Sequence, residues 1–379
     1  MPFDFDTVHP RHATGSKKWS QYPDDVLPMW VADMDFAVAP AIVEALRERL
    51  AHPLLGYSVA QEALRQALVR HLRQAYGWRV STDELVFLPG VEPGVNMALG
   101  GLLPAGAGVV LQTPNYGPLR SAPLHWRQRR IELPFAHDAQ GAPYTDLDAL
   151  DAVLSDAGAF VLSNPHNPLG KSFDRDELQA IARLCEERDV LVISDEIHAD
   201  IQFDGRRHVP IASLGEDIAR RTITLMSASK AFNIAGLKTA FAVIREPALR
   251  QRFNDSRRGM VDSVNLLGLV ATRAAYADAG DWLTGLQRYL QDNRDYLCDA
   301  LHQRFPAIRM QRPQSTYLAW LDCTALGLDD PQRFFLEHAR VALSAGSEFA
   351  EDTGQFVRLN FGCPRALLEE GLQRMERAL

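Results

Sequence analysis

The residues best suited to chemistry in this sequence stand directly after runs of apolar residues. Lys230 is the last residue of the motif SASK, which follows the apolar run TITLM. Asp195 opens the word DEIHAD after VLVIS, and Asn167 lies in SNPHNPLG after AFVL. A lysine amine can act as nucleophile and base, a carboxylate can hold a cationic N–H group, and an amide can orient a ligand. Each residue alone also has an ordinary interpretation, as a solvated loop lysine, a helix cap or salt bridge, and an Asx-Pro turn.

The apolar runs themselves predict how these residues come together. They are continuously apolar rather than alternating, which is typical of strands buried on both faces of a mainly parallel sheet. The predicted strands are 85–88, 108–111, 159–162, 190–193, 222–226 and 239–244. Amphipathic patterns at 58–76, with Ser58 as a possible cap, and at 174–188 predict intervening helices, so the fold class is α/β. The carboxyl ends of parallel strands share one sheet edge, where ligands bind.

The pattern changes after about residue 275. A long helix is predicted over 280–305, then a strand pair around 309 and 317–321, and a last helix over 365–379. These elements predict a smaller α+β domain. The predicted division is therefore an N-terminal segment 1–48 packing with the small domain, a large domain 49–280 and a small C-terminal domain 281–379.

Two further motifs concern the binding of ligands, one of a phosphate and the other of a metal. GVEPG at 90–94 follows a predicted strand and opens a helix, so its backbone N–H groups can face an anion such as phosphate, or it is simply a loop-to-helix junction. It is not a P-loop, and neither GxGxxG nor GxSxG occurs. Glu196, His198 and Asp200 invite a metal site, but no second histidine stands at HxxxH spacing and a metal leaves Lys230 unexplained. We therefore predict no metal.

Composition excludes several classes of protein. The 379 residues are 46% hydrophobic and carry a net charge of −8, and the longest basic cluster, 127–130, is interrupted by Gln128, so no nucleic-acid partner is predicted. Four widely spaced cysteines indicate neither a disulfide framework nor a zinc knuckle. The polar N-terminus and the lack of a stretch of about 18 apolar residues predict a cytoplasmic protein without a membrane partner.

Taken together, these words resemble a known family. The chain is similar to fold type I enzymes that use pyridoxal 5′-phosphate (PLP), in the aminotransferase class I/II superfamily, and more narrowly to the MalY/PatB-type cystathionine β-lyases. The motifs shared with the superfamily are SNPHNPLG, SDEIH, SASKAFNIAGLK and VRLNFGCP. The motifs shared with the narrower subgroup are LPMWVADMDF, GYS, DEIHAD and TYLAWLD. The resemblance runs from about residue 24 to the C-terminus. It implies the PLP-dependent transferase fold, with a mainly parallel, seven-stranded type of sheet in the large domain.

The resemblance also implies roles around the cofactor ring. Lys230 binds PLP covalently as a Schiff base, and Asp195 pairs with the pyridinium nitrogen. Asn167 donates to the cofactor's O3′, and His198 stands where many aminotransferases have a tyrosine that does the same. Tyr116 stacks on the ring.

The resemblance also implies which residues bind the cofactor's phosphate and the substrate's carboxylate. The resemblance assigns the phosphate to the backbone N–H groups of Val91 and Glu92 and to the side chains of Ser227 and Lys238. Lys238 departs from the usual arginine, which changes geometry more than charge. Tyr57 reaches the phosphate of the neighbouring subunit, which implies a homodimer with shared active sites. Arg358 binds the substrate α-carboxylate, with Asn167 and the Ala32 backbone nearby.

The implied activity is α,β-elimination of L-cystathionine or a related sulfur amino acid to thiol, pyruvate and ammonia. The same lysine, aspartate and arginine also serve transamination, so the catalytic residues leave a class I/II aminotransferase open, and only the subgroup words favour the lyase. A PLP-binding regulatory protein that acts through protein contacts is a further alternative.

Overall fold

A computed structural model describes residues 3–379, which form fifteen strands and fourteen α-helices. The strands are β1 Leu27–Pro28, β2 Leu85–Leu88, β3 Gly108–Thr113, β4 Arg129–Pro134, β5 Ala136–His137, β6 Pro143–Tyr144, β7 Ala159–Ser163, β8 Leu191–Asp195, β9 Thr222–Met226, β10 Ala240–Val243, β11 Arg309–Met310, β12 Leu318–Asp322, β13 Val341–Ala342, β14 Ser344–Ala345 and β15 Phe356–Asn360. The helices are α1 Lys17–Ser20, α2 Pro40–Ala51, α3 Glu62–Tyr76, α4 Val91–Leu102, α5 Gly117–His125, α6 Leu147–Leu154, α7 Arg175–Glu187, α8 Glu216–Arg220, α9 Ala228–Ala231, α10 Pro247–Asp255, α11 Leu266–Asp278, α12 Gly280–Arg304, α13 Pro331–Phe334 and α14 Arg365–Ala378.

The largest sheet has seven strands in the order β2-β10-β9-β8-β7-β3-β4. Strand β10 is antiparallel to both of its neighbours, and the pairs β9–β8, β8–β7, β7–β3 and β3–β4 are parallel. Val161 packs in a core with α4, whereas its neighbours Phe160 and Leu162 pack in a second core with α6 and α7. Because both faces are covered, the strands are apolar without alternation. The predicted α/β fold with a mainly parallel sheet is confirmed.

Six of the seven strands coincide with the predicted ones to within two residues at either end. The sequence did not predict β4, because it is an edge strand whose arginines and other side chains remain partly exposed. Helix α7 follows the prediction closely, and the carboxylate of Asp174 caps it by accepting from the N–H group of Glu177 at 2.8 Å. Helix α3 begins four residues later than predicted. Ser58 is not its cap, since its hydroxyl donates to the Val264 carbonyl instead.

The C-terminal part forms a second, antiparallel sheet in the order β11-β12-β15-β14, packed beside the long helix α12 and the last helix α14. The predicted long helix, strand pair and last helix are all present. Near the N-terminus, β1 pairs in parallel with β13, so the N-terminal segment lies against this C-terminal part. The exact division into domains stays a prediction. Among the described residues, no helix combines the length and apolarity needed to cross a bilayer.

A buried carboxylate anchors the N-terminal segment. Asp35 accepts from the Lys18 ammonium at 2.6 Å, from the Arg11 guanidinium at 2.7 Å and from the Trp19 indole at 2.8 Å. Burial raises the pKa of Asp35, but the attraction of Lys18 and these hydrogen bonds outweigh burial and hold the pKa below its ordinary value. The carboxylate therefore stays charged and ties residues 30–36 to the preceding helix α1.

Candidate active site

The carboxyl ends of β7, β8 and β9 bring Asn167, Asp195 and Lys230 to one edge of the large sheet, as predicted. Lys230 lies in the short helix α9, which begins immediately after β9. Ser227 caps that helix by accepting from the N–H group of Ser229 at 3.0 Å, and its own hydroxyl donates to the Thr239 carbonyl at 2.6 Å. The cap and the strand together hold the lysine backbone at the edge.

The environment of the Lys230 amine favours its neutral form. It donates one hydrogen bond to the Ala32 carbonyl, with a distance of 2.7 Å between Nζ and the oxygen. Burial lowers the pKa of Lys230 to about 8, and the positive charge of Arg358 acts in the same direction. Roughly a tenth of this amine is therefore neutral at pH 7, far more than for an ordinary lysine, and the neutral form is the one that nucleophilic and proton-abstracting lysines use.

Asp195 is a buried carboxylate without a cationic partner. Asp195 is only 8% exposed, and its Oδ1 accepts a hydrogen bond from the Ile197 N–H group at 3.1 Å. No described residue forms an ion pair with it, and burial raises the pKa of Asp195 to about 6. An unpaired buried charge is costly, so this carboxylate is suited to receive a cationic N–H group from a ligand.

Arg358 provides a second charged group, on β15. Its Nη1 donates to Asn167 Oδ1 at 2.9 Å, its Nη2 donates to the Trp30 carbonyl at 2.9 Å, and the guanidinium lies 4.8 Å from the ring centre of Phe349. Nε is buried without a partner. Burial lowers the pKa of Arg358 to about 10, which still leaves it charged at neutral pH. A buried guanidinium with an open donor is suited to bind a carboxylate.

His198 lies in the turn after β8 and is buried, with Nδ1 lacking a partner. Burial, together with the charges of Lys230 and Arg358, places the pKa of His198 well below its ordinary value. The neutral ring is therefore available as a hydrogen-bonding group. The ring of Tyr317 lies edge-on to it, with 5.9 Å between the ring centres.

The predicted phosphate-binding groups also lie near this edge. Helix α4 begins at Val91 without a side-chain cap, so the N–H groups of Val91 and Glu92 have no capping acceptor. Burial raises the pKa of Tyr116, and the negative charges of Glu92 and Asp195 raise it further. The positive charge of Lys238 contributes, as a small effect, to the lowered pKa of the Lys230 amine.

Tyr57 is the exception among the predicted residues. It is 99% exposed and, within a single chain, lies apart from the other groups. Its neighbours Leu54, Leu55 and Val59 are also exposed large apolar side chains. The predicted contact with a neighbouring subunit therefore stays a prediction.

Two side chains of the site were not assigned a role from the sequence. The Tyr317 hydroxyl donates to the Ala32 carbonyl at 3.1 Å, and the Ser344 hydroxyl receives a hydrogen bond from Arg358 at 3.2 Å. Tyr317 belongs to the motif TYLAWLD, so the sequence did contain a pattern that pointed to it. No sequence pattern pointed to Ser344, because it reaches the site only through the pairing of β14 with β15.

Comparison with known proteins defines the class. The family described as aminotransferase class I and II matches residues 24–375, so the chain belongs to this family, and the resemblance predicted from the sequence is confirmed. Cystathionine β-lyase PatB of Bacillus subtilis is 36% identical over 99% of this chain and 100% of its own length. OvoB has a crystal structure with a TM-score of 0.95, is 42% identical, and the match covers 100% of this chain and 99% of OvoB. Cystalysin from Treponema denticola, solved with PLP, gives a TM-score of 0.96 at 30% identity over 100% of this chain and 99% of cystalysin.

The residues at this edge fit PLP. An unpaired buried carboxylate at Asp195 suits a pyridinium nitrogen, and the open Nδ1 of His198 suits a ring oxygen. An amine with a lowered pKa at Lys230 suits the aldehyde, and the uncapped start of α4 suits a phosphate.

Proposed function

We propose that this protein is a PLP-dependent carbon–sulfur β-lyase that cleaves L-cystathionine or a related sulfur amino acid to a thiol, pyruvate and ammonia. The observation that carries the proposal is the meeting of three groups: the Lys230 amine and the unpaired carboxylate of Asp195 lie at the edge of the large sheet, and the Arg358 guanidinium, with its open Nε, reaches Asn167 at that edge from the second sheet. Full-length similarity to a protein named cystathionine β-lyase supports the choice of reaction.

The chain's own residues divide the tasks of holding the cofactor. Lys230 would form the covalent link, Asp195 would pair with the ring nitrogen, and Asn167 and His198 would hydrogen-bond the ring oxygen. Tyr116 would stack on the ring. The backbone N–H groups of Val91 and Glu92 and the side chains of Ser227 and Lys238 would hold the phosphate.

When bound, PLP supplies an electron sink that makes the Cα–H bond of an amino acid acidic. Asp195 holds the proton on the ring nitrogen, which keeps that sink effective. Arg358 binds the α-carboxylate and so orients the Cα–H bond toward Lys230. Displacement by the substrate's amino group would free the Lys230 amine, which would take the proton from Cα. The electron pair of that C–H bond would form the Cα–Cβ double bond, and the sulfur would leave with the electron pair of the Cβ–S bond and take up a proton. Water would then release the remaining fragment as pyruvate and ammonia.

A single assay separates the proposed function from its alternatives. Purified protein is incubated with PLP and L-cystathionine, and pyruvate is measured with and without a keto-acid acceptor. We expect pyruvate release that does not depend on the acceptor. Turnover only with an acceptor would establish the aminotransferase reaction instead, and a protein that binds PLP without turnover would contradict both enzymatic proposals and favour a regulatory role.

A homodimer with shared active sites is part of the proposal. The exposed apolar residues Leu54, Leu55 and Val59 flank Tyr57, and contiguous exposed apolar side chains commonly mark an interface. The proposal also includes the domain division 1–48, 49–280 and 281–379, supported by the pairing of β1 with β13. The four cysteines, none of which forms a disulfide, support a cytoplasmic location.

Light scattering tests the dimer. We expect twice the chain mass of 42.2 kDa for the wild type. Replacing Leu54 and Leu55 by aspartate places charges in the proposed interface, so we expect the mass of one chain. Tyr144→Asp, at another exposed apolar residue, is the control and should leave the mass unchanged. A wild-type protein with the mass of one chain would contradict the dimer.

A further inference from the structure

A tight turn in the N-terminal segment presents a carbonyl group to the active-site lysine. The Asp33 N–H group donates to the Val31 carbonyl at 2.8 Å, which closes a three-residue turn with Ala32 at its centre. We call residues Val31–Asp33 the Ala32 turn. The Ala32 carbonyl accepts from Lys230 Nζ at 2.7 Å and from the Tyr317 hydroxyl at 3.1 Å. The position of this turn therefore influences where the lysine amine lies.

One buried side chain braces both sides of the Ala32 turn. Asn360 Nδ2 donates to the Val31 carbonyl at 2.7 Å and to the Asp33 carbonyl at 2.8 Å. Its Oδ1 accepts from the Gly362 N–H group at 2.7 Å, and the residue is 1% exposed. The amide thus uses both of its N–H groups on the turn, and its own orientation is determined by the Gly362 N–H group.

The same strand also connects the turn to the carboxylate-binding group. Asn360 and Arg358 are two residues apart on β15, so their side chains project from the same face. Arg358 Nη2 donates to the carbonyl of Trp30, which immediately precedes the turn. A displacement of the Ala32 turn would therefore disturb contacts of both Lys230 and Arg358.

We propose that Asn360 is a positioning residue for the reaction: by bracing the Ala32 turn, it keeps the lysine amine and the arginine guanidinium in register with each other. The three hydrogen bonds of the Asn360 side chain all go to backbone groups of the chain, so we assign it no contact with cofactor or substrate. The inference rests on the proposed β-lyase function for its kinetic consequences, whereas its effect on the lysine can be measured without turnover.

The variant Asn360→Asp tests this with little change of volume. It replaces the donating amide nitrogen by a carboxylate oxygen that faces two carbonyl oxygens, so two hydrogen bonds are lost and repulsion displaces the turn. A displacement on the order of 1 Å at a reacting group costs about 100-fold in rate, and we expect a loss of this size in kcat/KM. Because Lys230 and Arg358 are both disturbed, kcat should fall and KM should rise together.

Tyr317→Phe separates the effect on Lys230 from the effect on Arg358. It removes one hydroxyl that contacts the Ala32 carbonyl, while the contact of Arg358 with Trp30 is retained. We expect kcat to fall about fivefold, the equivalent of one hydrogen bond, with KM nearly unchanged.

Asn293→Asp is the matched control. Asn293 is fully buried, and its Nδ2 likewise donates to two carbonyls, those of Phe361 at 3.1 Å and Cys363 at 2.8 Å. Neither carbonyl belongs to the Ala32 turn. The control should lower the thermal unfolding temperature as Asn360→Asp does. It disturbs the chain on either side of Gly362 but leaves the Asn360 amide its two bonds to the Ala32 turn, so kcat and KM should change much less than in Asn360→Asp.

A second measurement uses the cofactor-free protein and needs no substrate. The rate at which Lys230 captures added PLP is followed by the change in visible absorbance. We expect slower capture in Asn360→Asp and Tyr317→Phe than in Asn293→Asp. If the wild type has no lyase activity, the proposed function fails, but this rate still tests the role of Asn360.

The proposal is overturned if Asn360→Asp changes kcat, KM and the capture rate no more than Asn293→Asp does. If Asn360→Asp does not fold, Tyr317→Phe decides: wild-type kcat and wild-type capture would then overturn it, and a lowered kcat with slowed capture would support it.

Discussion

Lys230→Ala should abolish β-elimination, with a fall in turnover of at least about 10⁴-fold, since the variant lacks both the covalent anchor and the base that removes the Cα proton. The amine makes one hydrogen bond, to the Ala32 carbonyl, so its removal should leave the protein folded. Pyruvate release from L-cystathionine measures the activity, and circular dichroism checks the fold. Elimination by this variant at the wild-type rate would contradict the mechanism.

A chemical readout identifies the lysine independently of activity. Borohydride reduction of the PLP-loaded protein should add the cofactor mass to Lys230, and peptide mass spectrometry locates it. The chain offers five lysines, Lys17, Lys18, Lys171, Lys230 and Lys238. Lys238→Ala is the matched control, because it is the other lysine near the site, and it should retain the label on Lys230. A label on Lys238 in the wild type would disprove the assignment.

Asp195→Asn should lower kcat/KM about 10³-fold, since the neutral amide cannot hold a proton on the ring nitrogen and the electron sink is weakened. The substitution preserves shape, and the Asn side-chain oxygen can still accept from the Ile197 N–H group. Steady-state kinetics with saturating PLP measures the effect. Glu196→Gln is the neighbouring control: that carboxylate is paired with His208 at 2.6 Å and has no proposed contact with the cofactor, so turnover should persist although stability falls.

Asp195→Asn should also stabilise the cofactor-free protein. Burial raises the pKa of Asp195 from 3.8 to about 6, so the folded state holds this proton more tightly than the unfolded state does. Stability is therefore lost as pH rises from about 4 to 6, by an amount on the order of 3 kcal/mol above that range. Asp195→Asn removes this penalty, so its denaturation midpoint should exceed that of the wild type at pH 7 and match it near pH 4. Destabilisation at pH 7 would show that the Asp195 carboxylate has a stabilising partner in the folded protein. Unchanged turnover in Asp195→Asn would show that the ring nitrogen needs no anion.

Much of the fold could be predicted because burial leaves a direct trace in the sequence. Strands β7 and β8 are apolar on both faces, so their runs are continuous and the first polar residue marks where each run ends. Edge strand β4 leaves no such trace, since one side of it meets solvent. The start of α3 was misplaced because a serine before a helix is a cap only if its hydroxyl reaches the helix, and that of Ser58 reaches Val264.

The sequence by itself determined which residue types stand at the ends of the parallel strands, and hence that Asn167, Asp195 and Lys230 share an edge, because parallel strands deliver their carboxyl ends to one side. Only the tertiary structure decided how those groups behave. The unpaired state of Asp195 and the lowered pKa of Lys230 depend on burial and on charges far away in the chain. The bracing of the Ala32 turn by Asn360 joins residues more than 300 positions apart, and no local pattern records such a contact.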